Sequence, residues 1–175
     1  MTFSIAPMMK WTDQHCRYFH RILTKKAILF TEMLSIDAIL YGPQHKLLSS
    51  NYFDNSTVIQ VGGNDPKKLG KVAKIVEKYG YTEINLNIGC PSNRVKSGNF
   101  GACLMASPQI VSDCVKSIKN NSNLKVSIKC RIGIDDMSSL DLDRFVSITS
   151  TAGVKKFIIH ACLLYTSPSP RDLAV

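Results

Sequence analysis

Residues 84–105 read INLNIGCPSNRVKSGNFGACLM, a short strand pattern that runs into a glycine-rich loop with two cysteines. Ile84 and Leu86 share one face of the strand, and Asn85 and Asn87 share the other, because side chains alternate along a strand. In a (β/α)₈ barrel the apolar face packs on the helices, and polar residues at the strand ends point into the mouth. This stretch therefore predicts both a barrel strand and the place of a site.

Strand and helix patterns alternate along the rest of the chain. Helices are predicted to start at Asp65-Pro66 and Ser107-Pro108, and a third covers about 140–152. No G-x-G-x-x-G follows the first strand, which disfavours a dinucleotide-binding doubly wound sheet. The predicted fold is α/β, a (β/α)₈ TIM barrel that breaks off after about six βα units. The predicted strands cover residues 3–6, 27–32, 57–61, 83–87, 125–130 and 156–160.

The last fourteen residues, 162–175, do not continue this pattern. Where a polar loop and a helix should follow, the chain reads CLLYTSPSPRDLAV. Its first eleven residues resemble the translation of a transposase adapter used to make sequencing libraries; a natural Pro-rich linker is the alternative. We expect residues 1–161 to be the N-terminal part of the barrel and 162–175 to be a non-native tail, so that Cys162 has no chemical role.

The composition sets limits on the class of protein. The 175-residue chain has 22 Lys and Arg against 13 Asp and Glu, a net charge of +9. This balance fits a polyanionic partner such as nucleic acid, or equally a solvated basic surface. The sequence has no signal-peptide pattern and no apolar run long enough for a membrane span, so we expect a cytoplasmic protein. The six cysteines form no C-x-x-C pair and are interpreted as reduced thiols.

Several chemically active side chains follow the predicted strands. They include no acidic pair, which argues against glycosidase chemistry, and no carboxylates for magnesium. A lysine can stabilise an anionic reduced flavin ring, and amide and imidazole groups can bind its polar edge. The residues alone leave Cys90 open as a proton donor, a nucleophile or a packed thiol. The polar residues at the strand ends are Gln60, Asn87, Cys90, Lys129, Arg131 and His160, with the segment 6–9 closing the first strand.

His15, Cys16 and His20 lie in one helical run, DQHCRYFHR. No second ligand pair follows at a spacing typical of zinc sites, so we interpret the three as ordinary helix residues and predict no metal site.

Taken together, these motifs resemble the flavin-dependent tRNA-dihydrouridine synthases, specifically their bacterial A-type subfamily. The resemblance covers about residues 3–161, and the block that begins NLN-x-GCPS is its most specific part. The segments that carry it are APMMKWTDQHCRYFHR, TEM, IQVGGNDP, EINLNIGCPSNRVKSGNFGACLM, IKCRIGIDD and FIIHA.

The resemblance implies an FMN-binding barrel followed by a helical domain, with NADPH as the reductant. The implied reaction reduces the 5,6-double bond of uridines U20 and U20a in the tRNA D-loop, with hydride reaching uracil C6 and Cys90 protonating C5. Asn87 would contact the target base, and Arg131 is a second candidate for substrate contact. Arg94 and Lys96 would lie near the RNA. The implied flavin contacts are Pro7, Met8, Met9, Gln60, Lys129 and His160.

Two other functions remain open from the sequence. One is another FMN-dependent TIM-barrel oxidoreductase that acts on free pyrimidines, and the other is a non-catalytic RNA-binding fragment. The resemblance also implies that the last two barrel strands, with the loops that hold the FMN phosphate, are missing. We therefore expect the 175-residue chain by itself to be inactive or unstable, because an open sheet leaves an unpaired edge.

Overall fold

A computed structural model of the chain describes residues 3–49, 56–92, 95, 97–134 and 137–163. Arg94 and Lys96, which we predict to lie near RNA, fall outside the described residues, as does the tail from residue 164 onward.

The described strands form one parallel sheet in which neighbours in space are neighbours in sequence. A doubly wound sheet would reverse its strand order at a switch point, and this sheet does not. The predicted class, a (β/α) barrel that contains six parallel strands, is confirmed. Strands β1 and β6 are the edges of the described sheet. The strands are β1 (Ser4–Ile5), β2 (Ile28–Ser35), β3 (Thr57–Gly62), β4 (Glu83–Ile88), β5 (Lys125–Arg131) and β6 (Lys156–His160).

Helices or helical turns connect the strands. Asp65 caps one helix by accepting the backbone N–H groups of Lys67 and Lys68 at 2.8 and 3.0 Å. Ser138 and Asp141 form a capping box at another, and Gly80 ends the Asp65-capped helix in the left-handed region. The helices are α1 (Gln14–Leu23), α2 (Ile36–Tyr41), α3 (Gln44–Leu48), α4 (Pro66–Lys78), α5 (Pro108–Asn121) and α6 (Ser139–Thr151), with a 3₁₀ turn at Gly101–Ala106.

The core lies between the outer face of the sheet and the helices. Alternate residues of each strand supply it, such as Ile84 and Leu86 of β4 and Ile128 of β5, all of them buried. Leu69 of α4 and Val115 of α5 cover them. The polar residues of the same strands point to the opposite face, as the alternation predicts.

The structure differs from the sequence prediction at β2. This strand continues to Ser35, three residues past the predicted end, with a register irregularity between Phe30 and Met33. Ser35 then caps α2 by accepting the N–H of Ala38 at 3.2 Å. The short helices α2 and α3 were not predicted, because six or five residues give too few turns for a clear helical period.

Within the described part of the chain, no helix combines the length and apolar character that crossing a membrane requires.

Candidate active site

The strand ends surround a cavity of about 600 Å³, a size typical of small-molecule sites. Eight of the nine residues predicted for the site line this cavity, and they come from five separate segments of the sequence. The eight are Pro7, Met9, Gln60, Asn87, Cys90, Lys129, Arg131 and His160.

The ninth predicted residue, Met8, does not line the cavity but holds the turn after β1. The residue is 43% exposed. Its backbone N–H donates to Thr12 Oγ1 at 2.9 Å, and its carbonyl accepts the N–H groups of Trp11 and Thr12. Met8 therefore fixes the turn that brings its neighbours Pro7 and Met9 to the cavity.

Asn87 and Cys90 meet where β4 ends. The Asn87 Oδ1 atom accepts the backbone N–H groups of Gly89 at 3.1 Å and Cys90 at 2.9 Å, as in an Asx turn. Its Nδ2 atom donates to Gln60 Oε1 at 2.9 Å. One side chain thus shapes the turn that carries the thiol and ties that turn to β3.

The segment after Cys90 folds back onto it. The Cys90 carbonyl accepts the N–H of Ala102 at 3.1 Å. Gly101, at φ +71°, lies so close that a Cβ atom would overlap Val95 and come within 2.7 Å of the Cys90 carbonyl oxygen. The thiol itself is half-buried, with Ser92 Oγ 3.5 Å from its Sγ. This close approach explains why a glycine stands at position 101.

Beneath the cavity, buried polar side chains are bonded to one another across the sheet. Gln60 Nε2 donates to Asn85 Oδ1 at 2.8 Å, and Asn85 Nδ2 donates to Ser127 Oγ at 2.9 Å. Ser127 Oγ donates to Glu83 Oε1 at 2.6 Å. Among the described residues, every buried side-chain nitrogen and oxygen has a partner.

Sequence reasoning did not select Asn85 and Ser127 for the site. A signal was present, because Asn85 lies two residues before Asn87 and Ser127 lies two before Lys129. Residues two apart share a strand face, so each had to point inward with its selected neighbour.

The cavity is positively charged. Its described lining includes Lys10, Lys129 and Arg131 but no Asp or Glu. Burial lowers the pKa of Lys129, and repulsion by Arg131 lowers it further. Arg131 donates from Nε to the Gly89 carbonyl at 2.9 Å and from a terminal nitrogen to the Leu163 carbonyl at 3.3 Å, so it also holds the loop. An anionic group in the cavity would offset the cost of this buried charge.

Other lining residues were also missed. Because β2 is longer than predicted, Met33 and Ser35 reach the cavity. The ring of Phe100 lines it too and packs on Gly62, where a Cβ atom would lie 2.7 Å from the ring. Lys10 arrives with the turn after β1.

Of the six cysteines, Cys90 is the one that lines the cavity. Cys103 Sγ donates to the Phe100 carbonyl at 3.1 Å. Burial raises the pKa of Cys114 to about 12 and that of Cys130 to about 11. These two thiols are poor nucleophiles in the folded chain, since the thiolate is the reactive form.

The histidine-cysteine run lies in α1. Cys16 Sγ is 3.5 Å from His20 Nδ1, one helical turn away. Within the ranges that the structure describes, no three His, Cys, Asp or Glu residues are grouped as metal ligands.

The donor set suits a flavin. A half-buried cation in a cavity with no acidic lining residue among those described fits an anionic ring edge, and Gln60 and His160 add amide and imidazole groups. Lys129, Gln60 and His160 are therefore the residues that could hold the polar edge of such a cofactor.

Comparison with known proteins gives a consistent result. The family model described as "Dihydrouridine synthase (Dus)" matches residues 4–169. The chain is similar to proteins named tRNA-dihydrouridine(20/20a) synthase: it is 51% identical to that of Vibrio parahaemolyticus over 172 residues, covering 97% of the chain and 52% of the relative. It is 48% identical to that of Escherichia coli over 173 residues, which cover 97% of the chain and 52% of the relative. It is 48% identical to that of Synechocystis over 159 residues, which cover 90% of the chain and 48% of the relative. The chain thus spans about half the length of the curated relatives it matches.

Proposed function

The chain belongs to the dihydrouridine synthase family, and we propose that it provides the catalytic cavity of an enzyme that reduces the 5,6-double bond of uridines 20 and 20a in the D-loop of tRNA. The relatives' printed names support these positions. The observation that carries the proposal is that eight side chains from separate segments of the sequence line one cavity.

FMN is the proposed cofactor. Lys129, Gln60 and His160 would hold its polar edge, and Pro7 and Met9 would lie against it. When bound, FMN would supply the hydride for uracil C6, with NADPH as the source of reducing equivalents. Lys129 would contribute positive charge from a partly desolvated position, where electrostatic interactions are stronger than in water. Met8 would act only through the turn that it fixes.

Cys90 would hold the proton for uracil C5 on its Sγ atom. The thiol is half-buried at the cavity, and the Asn87 turn and the Ala102 N–H fix its backbone from both sides. A general acid has to be within hydrogen-bond reach of its target, so a fixed backbone favours this role. Asn87 would contact the base through its Nδ2 atom, because its Oδ1 atom accepts the N–H groups of the loop. Arg131, which holds the Gly89 carbonyl, would contact the substrate from the same side.

The substrate uridine would have to leave its stacked position to reach this cavity. The net charge of +9 would favour the phosphate backbone of a tRNA. These properties agree with an enzyme that works on tRNA, and the cytoplasm is its proposed location.

By itself, the 175-residue chain is proposed to be inactive. In the described part of the sheet, β1 and β6 are edges, and an unpaired edge favours association over stable folding. Helix α1 buries none of its residues, and Phe19, Ile22 and Leu23 are more than half exposed. A purified chain that binds one FMN per molecule and melts cooperatively would contradict this proposal.

The test of function uses a chimera in which residues 3–161 replace the matching segment of the Vibrio parahaemolyticus relative. We expect the chimera to restore dihydrouridine at positions 20 and 20a in a strain that lacks its own 20/20a synthase, measured by mass spectrometry of digested tRNA. Reduction of free uracil or uridine but not of tRNA would favour an oxidoreductase of free pyrimidines. Binding of tRNA without reduction would favour a non-catalytic RNA-binding role.

A further inference from the structure

We propose that Glu83, at the start of β4 and away from the cavity, is a positioning residue that sets the direction of a chain of hydrogen bonds ending at Cys90. The inference rests on the proposed function, since it concerns how the proposed proton donor is held. We call this chain the polar relay; its members are Glu83, Ser127, Asn85, Gln60, Asn87 and the backbone N–H of Cys90.

The lower part of the polar relay crosses from β4 to β5 and back. Ser127 Oγ donates to Glu83 Oε1 at 2.6 Å. Asn85 Nδ2 then donates to Ser127 Oγ at 2.9 Å. Both Asn85 and Ser127 are fully buried, and they lie opposite each other in the register of the two strands.

The upper part crosses to β3 and returns to the end of β4. Gln60 Nε2 donates to Asn85 Oδ1 at 2.8 Å, and Asn87 Nδ2 donates to Gln60 Oε1 at 2.9 Å. Asn87 Oδ1 accepts the Cys90 N–H at 2.9 Å. Every link therefore donates toward Glu83.

This common direction follows from the chemistry of the two ends. An ionised carboxylate only accepts hydrogen bonds, so Ser127 has to donate to Glu83 and can offer Asn85 only lone pairs. Asn85 must then present Nδ2 to Ser127 and Oδ1 to the next link. For the same reason Gln60 presents Nε2 to Asn85 and Oε1 to Asn87. The Asn87 oxygen then faces the Cys90 N–H.

The opposite direction would be costly at the thiol. It would turn the NH₂ group (Nδ2) of Asn87 toward the N–H groups of Gly89 and Cys90, so that donors would face donors. Because the links at Asn85 and Ser127 are buried, a group left without a partner there would bear its full desolvation cost. The carboxylate at the bottom of the sheet thus helps to select the loop conformation at the top.

Lys156 of β6 contacts both oxygens of the carboxylate, at 3.1 and 3.2 Å. This ion pair holds Glu83 from one side but does not take part in the direction of the relay. Lys156 therefore offers a matched control, because removing it leaves the accepting carboxylate in place.

The test compares Glu83→Gln, Ser127→Ala and Lys156→Met in the chimera described above, and in the full chain where it folds. Glu83→Gln keeps the shape but can donate to Ser127, so the relay loses one of the two ends that fix its direction; Ser127→Ala breaks it at one link. We expect backbone amide hydrogen exchange at Gly89 and Cys90 to become about tenfold faster in both variants, the factor that corresponds to one lost hydrogen bond. We expect kcat for tRNA to fall in both variants. Lys156→Met should match the parent at Gly89 and Cys90.

Unchanged exchange at Gly89 and Cys90 in Glu83→Gln would overturn the proposal, and so would a uniform increase along β3–β5, which would indicate a merely structural role. If Glu83→Gln does not fold, Ser127→Ala decides by the same readout. The exchange measurement is independent of turnover, so an inactive parent chimera would count against the proposed function alone.

Discussion

Asn87 Oδ1 accepts the backbone N–H of Cys90 at 2.9 Å, while the Nδ2 atom of the same side chain donates to Gln60 at 2.9 Å. One amide therefore connects the proposed proton donor to a proposed flavin contact. The resemblance to a known family assigns Asn87 to the target base, and the geometry adds a second task, which is to shape the loop. The two tasks can be separated by substitution, because they use different atoms.

Asn87→Asp keeps an oxygen for the N–H groups of Gly89 and Cys90 but cannot donate to Gln60. Asn87→Ala removes both kinds of bond. In the chimera, we expect Asn87→Ala to speed amide exchange at Gly89 and Cys90 by about tenfold, whereas Asn87→Asp should keep their protection. Both variants should lower kcat for tRNA. Equal loss of protection in the two variants would show that the oxygen does not hold the loop.

The fold was largely predictable from the sequence because strand and helix patterns alternate along it, most clearly at β4. Ile84 and Leu86 against Asn85 and Asn87 give the strand, its buried face and its inward face at once. Predicting the ends was harder at β2, where the strand continues through Met33 to Ser35 across a register irregularity. Such irregularities depend on the neighbouring strand, and the sequence of one strand does not record them.

The site was predictable where strand ends carry distinctive polar residues, as at Lys129 and His160. The hydrogen-bond pattern was not predictable, since it depends on the register between strands. Gln60 meets Asn85 because the two are register partners on β3 and β4, although they are 25 residues apart. Nothing in the local sequence of either indicates the other.

The proton-donor role predicts different behaviour for Cys90 and for Cys103 of the following 3₁₀ turn. Cys90→Ala in the chimera should lower the rate of dihydrouridine formation by about 10²–10⁴-fold, the usual contribution of a positioned general acid. Cys103→Ala, which removes a thiol that donates to the Phe100 carbonyl and does not line the cavity, should keep a rate near that of the parent. The rates can be compared by single-turnover reduction of purified tRNA. Normal turnover by Cys90→Ala would exclude the role.

Gly101→Ala should disturb the Cys90 loop through steric overlap. A Cβ atom there would collide with Val95 and with the Cys90 carbonyl oxygen, and φ is +71°. We expect a loss of about 1–3 kcal/mol in the free energy of unfolding, measured by urea denaturation, and slower dihydrouridine formation. Gly80→Ala is the matched control, because φ is +86° there but, among the described residues that are not its neighbours along the chain, none has an atom within 4 Å of the added methyl group. It should cost about 1 kcal/mol from backbone strain alone and leave activity unchanged. A larger loss at Gly80 than at Gly101 would contradict the steric explanation.

The charged Lys129 side chain should lower the free energy of unfolding of the flavin-free protein, although it is proposed to bind the flavin. Burial lowers its pKa below the ordinary value of 10.5, so the folded state holds the proton less tightly than the unfolded state. Below the lowered pKa both states are charged, and the fold bears the full desolvation cost of the half-buried ammonium group. As the pH rises toward 10.5, the folded state releases the proton first and the cost disappears.

Lys129→Met should therefore raise the melting temperature of the flavin-free chimera by a few degrees at pH 7, and this gain should shrink as the pH approaches 10.5. FMN affinity should fall in the same variant, because the cation for the ring edge is lost. Lys125→Met, at an exposed position of the same strand, should change neither property. Calorimetry at several pH values and flavin fluorescence titration give the two measurements. A lower melting temperature for Lys129→Met at pH 7 would mean that the ammonium group stabilises the empty cavity, contrary to the desolvation argument.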